Sequence, residues 1–374
     1  MVVLVTDIKY RMALSAVRDL ADAGHVVYGL HFGQGTPPAA ACRGLRGCRC
    51  VPECAGARRA QAVLDYAREL QAQVFPVGAA TIAALAEADA GLLVPAPEQL
   101  RLANSKDALL AFASQEGVPV PEAFETPEAA EEALPVVLKY RNGEALGLSA
   151  PQRYVIAHTP EELHRAWARM GAVAAEGGQA APLIQRYVSG SGWGVSCVFD
   201  RDSRPVRVLC HRRVREYPVT GGPSACCEAV WNEAMVRAAI HLLRAMRWQG
   251  VAMVEFKGAP DDFALMEINP RIWGSFPLTR VSGSGFADVY VRAAAGERLP
   301  VSDAPQYRVG ARMGFSLSNL AAGAAWLRRG KLGACLAALR DALGFGVRDG
   351  AFEWRDLRAS LRYLWSATFG RRSR

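Results

Sequence analysis

The sequence predicts an α/β unit, then an α+β unit, then a helical tail. Three observations carry this. Short apolar strands alternate with helical patterns over the first hundred residues. Strand patterns predominate from about residue 133 to 269, and two of them join through a tight turn. After Pro300 the chain becomes helical and rich in Ala, Leu and Arg. Strands separated by helices argue for a parallel sheet covered by helices. With 374 residues, two or three domains are expected. The boundaries read as 1–101, 102–304 with a smaller subdomain at about 133–187, and 305–374.

Taken in order, VVLVTD (2–7) is a short strand, followed by a helical pattern to Ala23 that stops at Gly24, and HVVYGLHF (25–32) is a second strand. RRAQAVLDYAREL and AQVFPVG add a helix and a strand. The result is half of a Rossmann-like domain. It lacks GxGxxG after its first strand, which argues against a dinucleotide there. ANSKDALLAFASQEG starts a helix with Asn104 or Ser105 as cap and Gly117 as stop. LPVVLKY is a buried strand ending in Lys139. TPEELHRAWARM carries a capping box, Thr159 with Glu162. PLIQRYV is a strand, SGSGWG a hinge turn, and VSCVFD and VRVLCHRRV further strands. WNEAMVRAAIHLLRAMRW is an amphipathic helix. VAMVEFK and FALMEIN form a hairpin through GAPDD.

Composition excludes several classes. No run of 18 apolar residues occurs, so no transmembrane helix is expected. The apolar start is broken by Asp7 and Lys9, so no signal peptide is read. Nine cysteines, an odd number, then read as reduced thiols in a cytoplasm. From Pro305 onward 13 Lys and Arg face 4 Asp and Glu, a net of +9, so the body is balanced and the tail alone is basic. No nucleic-acid motif accompanies that charge, and no nucleic-acid partner is expected.

The hairpin carries the chemistry. Centred near Asp261, it sets Glu255 opposite Glu267, with Asn269 two residues on and on the same face. Like charges directly opposed in a sheet are destabilising, unless a cation lies between them. Oxygen ligands without His or Cys suit Mg²⁺ or Mn²⁺, and Mg²⁺ held by few carboxylates usually shares its shell with substrate phosphates. Arg271, next along, would meet a phosphoryl oxygen. The competing reading is a hairpin of solvated glutamates. Apolar neighbours on both faces (Val254, Phe256, Leu265, Met266, Ile268) speak against it.

With its E-x-N-P-R ending, this stretch resembles the ATP-grasp superfamily. The resemblance covers roughly 102–299, with the first hundred residues similar to the Rossmann-like domain that commonly precedes that fold. LVTD, RRVREYPVTGGPS and EINPRIWGS most resemble bacterial carboxylate–amine ligase-like proteins. The resemblance implies that Lys106 and Lys139 hold ATP phosphates and that the backbone of Gln185, Arg186, Tyr187 and Val188 meets adenine. It implies that Glu255, Glu267 and Asn269 bind Mg²⁺ and that Arg271 contacts phosphate. The implied reaction activates a carboxylate as an acyl phosphate and joins it to an amine, releasing ADP and phosphate. The partners are then a small carboxylate and an amine. ATP-grasp kinase or carboxylase chemistry, or a non-catalytic ATP-binding regulator, are the alternatives. Nothing fixes the oligomeric state, a homodimer among the options. Three features depart from the family. Arg186 stands at a hinge position often held by Glu, Trp193 takes the place of the ribose-binding acid, and RNGEALGLSAPQ lacks the usual glycine-rich form.

Beyond the hairpin, HRRVREYPVTGGPS holds His211, Arg213 and Arg215. Strand alternation sets both arginines on one face, where they would bind an anionic acyl substrate or stabilise an acyl phosphate. Gly221, Gly222 and Ser224 would let backbone N–H groups approach it. The competing reading is a basic edge strand with an ordinary loop. Cys42, Cys48, Cys50 and Cys54 have no zinc-knuckle spacing and read as incidental loop residues, ahead of metal binding or redox sensitivity. Cys226 and Cys227 read as residues leading into a helix. In the tail, apolar residues at 354, 357, 361, 364 and 365 interleave with arginines. Packing of that stripe on the body is the stronger reading, and contact with an anionic membrane the weaker.

Overall fold

Four parallel strands open the chain: β1 (Val2–Val5), β2 (Val26–Phe32), β3 (Leu45–Val51) and β4 (Gln73–Phe75), in the spatial order β3-β2-β1-β4. Helices α1 (Arg11–Asp22), α2 (Gly56–Leu70) and α3 (Ala79–Glu87) cover them, as a Rossmann-like sheet requires. This computed structural model describes residues 1–141, 146–148, 152–219 and 221–369. The cysteine-rich segment is not a loop. Cys48 and Cys50 lie on β3, whose alternating exposure puts both on its outer face, while Cys42 is buried.

Two helices, α4 (Pro97–Asn104) and α5 (Lys106–Gln115), lead to a small four-stranded sheet. It comprises β5 (Ala123–Phe124), β6 (Val136–Lys139), β7 (Tyr154–Ala157) and β8 (Leu183–Arg186), with α6 (Pro127–Ala130) and α7 (Pro160–Glu176) packed on it. The sheet therefore begins about ten residues before the 133 read from the sequence. Thr159 accepts a hydrogen bond from Glu162 N–H at 3.2 Å, and the Glu162 carboxylate accepts one from His158 N–H at 2.8 Å, which starts α7 as the capping pattern predicts.

The main sheet has seven strands: β9 (Ser191–Phe199), β10 (Pro205–Glu216), β11 (Ser224–Val230), β12 (Gly250–Gly258), β13 (Phe263–Asn269), β14 (Arg312–Gly314) and β15 (Arg348–Asp349), in the order β13-β12-β9-β10-β11-β14-β15. Helices α8 (Glu233–Ala245), α9 (Pro277–Ser282) and α10 (Phe286–Ala294) flank it. One face, with Val195, Cys197, Val254, Phe256 and Leu265, packs on α5 and α8. The other, with Val198, Val251 and Met253, shares a core with α1 and α10. SGSGWG is not only a turn, since its last four residues belong to β9, and Gly190 (φ +107°) fits because a Cβ there would strike the Gly258 carbonyl. Cys226 and Cys227 lead into no helix. They are fully buried on β11, where their neighbours on both sides are strands.

The tail holds α11 (Ser316–Arg328), α12 (Leu332–Ala342) and α13 (Leu357–Phe369), but it also donates β14 and β15 to the main sheet. It is stapled to the N-terminal unit through buried Arg18, which donates to Asp356 at 2.9 Å, to the Ala351 carbonyl at 2.7 Å and to Ser360 at 3.0 Å. Packing of α13 uses Ala359, Ser360 and the half-buried Tyr363, not the predicted stripe. Trp354, Leu357, Leu361 and Trp365 are exposed, so that stripe faces outward. Ala359 enters the core shared with α1 and the turn Pro38–Ala41, and Ser360 bonds to Arg18 of α1, which turns that side of α13 to the body.

Candidate active site

The hairpin register places Glu255 opposite Glu267, and Met253 opposite Asn269. A one-residue bulge follows, because Phe256 then faces Leu265, which leaves Met266 as the extra residue. The Asn269 amide donates to Glu255 Oε1 and to Glu267 Oε1, each at 3.1 Å, so the three side chains converge on one point. Arg213, from β10, pairs with Glu255 Oε2 and lies 3.3 Å from Glu216. Burial raises the Glu255 carboxyl above the ordinary carboxylate range and Arg213 pulls it back, while Glu255 in turn raises Arg213. The protein itself therefore supplies one cation beside Glu255.

Three lysines surround this centre. Lys139 ends β6, with Nζ 4.0 Å from the Met266 sulfur. Lys106 opens α5 and donates to the Tyr140 carbonyl at 3.4 Å. Lys257 lies on β12, two residues beyond Glu255 and on its face, with Nζ 4.4 Å from the Tyr187 ring centre. Burial, then Lys106, pull the Lys139 ammonium down to about 8, with Lys257 adding and Glu267 opposing. Arg271 follows the hairpin on a turn held by Trp273, whose ring packs at 5.5 Å on Phe276 and 5.3 Å on Phe286. Its charge reaches Glu255. Five cations around three carboxylates, Glu216 included, leave an excess of positive charge, which fits a polyanion accompanied by a divalent cation.

At the hinge between the small and main sheets, Arg186 N–H donates to the Glu122 carbonyl at 2.9 Å and Tyr187 N–H to the Pro135 carbonyl at 3.1 Å. Val188 N–H has no hydrogen-bond partner among the described residues, which leaves one donor free at the hinge.

Comparison with known proteins identifies the fold. Residues 179–317 match the family model described as "ATP-grasp in the biosynthetic pathway with Ter operon". The Campylobacter jejuni biotin carboxylase in complex with βγ-ATP superposes with a TM-score of 0.63 at 16% identity, over 83% of this chain and 74% of that one. The biotin carboxylase domain of the Hydrogenobacter thermophilus 2-oxoglutarate carboxylase, solved as a dimer with MgADP, ADP and bicarbonate, gives 0.62 at 17% identity, over 83% and 73%. The chain has the ATP-grasp fold. No curated protein sequence matches it significantly.

Within the ATP-grasp fold, Lys106, Lys139, Glu255, Glu267, Asn269, Arg271 and Arg213 come together around one centre. Arg215 does not. Arg213 faces Cys227 while Arg215 faces Cys226, so a bulge at Val214 breaks the alternation and sends Arg215 to the opposite face. There it pairs with Asn319 at 2.6 Å and Asp341 at 3.0 Å. Trp193 takes no ribose position either. It lies in the core on the far face, with its indole N–H donating to the Gly258 carbonyl at 3.1 Å. His211 is buried under Gly194, pushed down to about 3 by burial, and bonded to Ser275 at 3.1 Å. It braces the turn after the hairpin and offers no surface to a substrate. Arg186 pairs with Glu122 on the rim. Gly221 and Gly222 close a turn in which Gly221 lies against the Tyr154 hydroxyl of β7, and Ser224 begins β11. The loop RNGEALGLSAPQ falls largely outside the described residues.

Two residues escaped the sequence reading. Lys257 was visible in principle, since alternation from Glu255 puts it on the same face. Arg11 was not. It comes from α1 of the N-terminal unit, stacks 3.8 Å over the Phe315 ring and borders Gly274, and no carboxylate pairs with it among the described residues. Only the packing of one unit on another brings it there.

Proposed function

We propose that the protein is an ATP-dependent ligase that activates a carboxylate as an acyl phosphate and transfers the acyl group to an amine. The observation that carries this is the converging set of Glu255, Glu267 and Asn269 ringed by Lys106, Lys139, Lys257, Arg213 and Arg271. An all-oxygen set that an amide already gathers to one point fits Mg²⁺ or Mn²⁺, and Glu255, Glu267 and Asn269 would hold it. When bound it supplies charge compensation and orientation of the phosphates. Lys106 and Lys139 would neutralise the phosphate chain, the open Val188 N–H would donate to an adenine nitrogen, and Arg271 would meet the transferred phosphoryl oxygens. Arg213 opposes the protonation of Glu255 that burial favours. Arg11, with no carboxylate partner among the described residues, is the cation assigned to the acid.

The likeness to carboxylases supports a second reading, in which bicarbonate is the acid. Release of ADP and phosphate, followed over a panel of acid–amine pairs with mass spectrometry of the products, separates the two. Turnover with bicarbonate and no amine favours carboxylation, and turnover that needs both an organic acid and an amine favours ligation. Glu267→Ala lowers ADP release by at least a hundredfold under the ligase or the carboxylase reading. Wild-type release from that variant sinks both.

A further inference from the structure

Of the 18 large hydrophobic side chains exposed among the described residues, 13 lie after residue 305, in a segment that is less than a fifth of the chain. Soluble surfaces scatter such residues singly, and a concentration of them marks a contact. Helix α12 shows how it is built. Leu332, Leu336, Leu339 and Leu343 recur at helical spacing and are 60%, 57%, 36% and 74% exposed, while Cys335, Ala338 and Asp341 are buried on the inner face. The four leucines occupy a stripe about 60° wide. Lys331 lies about 110° to one side of its centre and Arg340 about 70° to the other. The neighbouring α11 presents Leu327, and its end carries Arg328 and Arg329.

The charge on this hairpin is of one sign because every carboxylate of the tail is engaged elsewhere. Asp341 is held by Arg215 and Arg312 on the inner side, and Asp349 accepts from Ser316 N–H at 2.8 Å. Glu353 pairs with Arg280 and Asp356 with Arg18. Arg328, Arg329, Lys331 and Arg340 have no carboxylate partner among the described residues. A second copy docked through this face would set like charges against each other. An apolar ridge flanked on both sides by long cationic chains instead matches a bilayer, where leucines enter the acyl boundary and Lys and Arg reach up to headgroups.

We infer that the α11–α12 hairpin docks the protein on an anionic lipid surface as a peripheral contact. No helix among the described residues is long and apolar enough to cross a membrane, so the contact lies in the plane of the interface. The inference is independent of the reaction, since it uses none of the residues around Glu255.

The test is co-sedimentation of the full chain with vesicles of phosphatidylcholine alone and of phosphatidylcholine mixed with phosphatidylglycerol. Binding is expected only with the anionic mixture, and it weakens as salt rises. The double substitution Leu336→Glu with Leu343→Glu should reduce anionic-vesicle binding at least tenfold without lowering the thermal midpoint, both residues being exposed. Absence of binding to anionic vesicles, or equal binding by the double variant, overturns the inference. So does a wild-type dimer in light scattering that the double variant abolishes while vesicle recovery stays nil, because the surface would then be a protein interface.

Discussion

Lys139 offers the sharpest test of the phosphate site, because its ammonium is held near 8 while an ordinary lysine titrates near 10.5. The cause is burial reinforced by Lys106 and Lys257. An incoming polyphosphate supplies the missing counter-charge and restores the protonated form, so binding takes up a proton wherever free Lys139 has lost one. The sign follows from linkage: affinity for MgADP is full below about 8 and falls as pH rises through that value, by up to about tenfold per pH unit. At pH 7 about nine in ten Lys139 side chains are protonated, and at pH 9 about one in eleven. The dissociation constant should therefore rise about tenfold between those values, whereas an unshifted lysine would change it by only a few per cent. The unliganded fold behaves oppositely. A lysine whose folded value lies below its unfolded one makes the fold more stable as pH climbs from about 8 towards 10.5. Titration calorimetry with MgADP between pH 7 and 9 reads the first effect, with Lys139→Met as control. A flat wild-type profile, or the same slope in Lys139→Met, refutes the reasoning.

Three structural perturbations follow. Arg18→Met leaves buried Asp356 without its cation and removes bonds to Ala351 and Ser360, so chemical denaturation should show a loss of about 3–5 kcal/mol. Gly194→Ala would place a Cβ 2.3 Å from the ring of buried His211, and the same measurement should record about 1–3 kcal/mol. Arg213→Met should destabilise by about 3 kcal/mol because Glu255 is left buried and unpaired, and adding Glu255→Gln should recover part of that loss. An additive pair would mean that the two side chains do not support each other.

Much of the fold was legible because burial imposes period. The alternation of β1, α1, β2, α2 and β4, the capping of α7 by Thr159, and the pairing of Glu255 with Glu267 all follow from which side chains must face a core. The omissions have local causes. β3 reads LRGCRCV, and as the edge of its sheet it alternates between half-buried and exposed, without the apolar run that marks β2. β11 reads SACCEAV and is too small and mixed to announce a strand, although its neighbours bury it. β14 and β15 have three and two residues, shorter than any periodic signal.

The site was legible by the same rule and misread where the rule is locally suspended. A bulge costs one residue of alternation, and nothing in the residue types around Val214 or Met266 announces one. At Val214 it separates two arginines that sequence spacing joins: Arg213 turns to Glu255, and Arg215 turns to Asp341 on α12. Had the alternation held, Arg215 would have crowded a centre already carrying five cations, and Asp341 would have been buried with Arg312 as its one remaining cation. The bulge relieves both, at the junction between the metal-type carboxylates and the tail. A motif reading that assigns neighbouring basic residues to one task is therefore least reliable on the strands that border a site, where bulges re-aim side chains. Partners decide the role instead, and the partner of Arg215 is the tail.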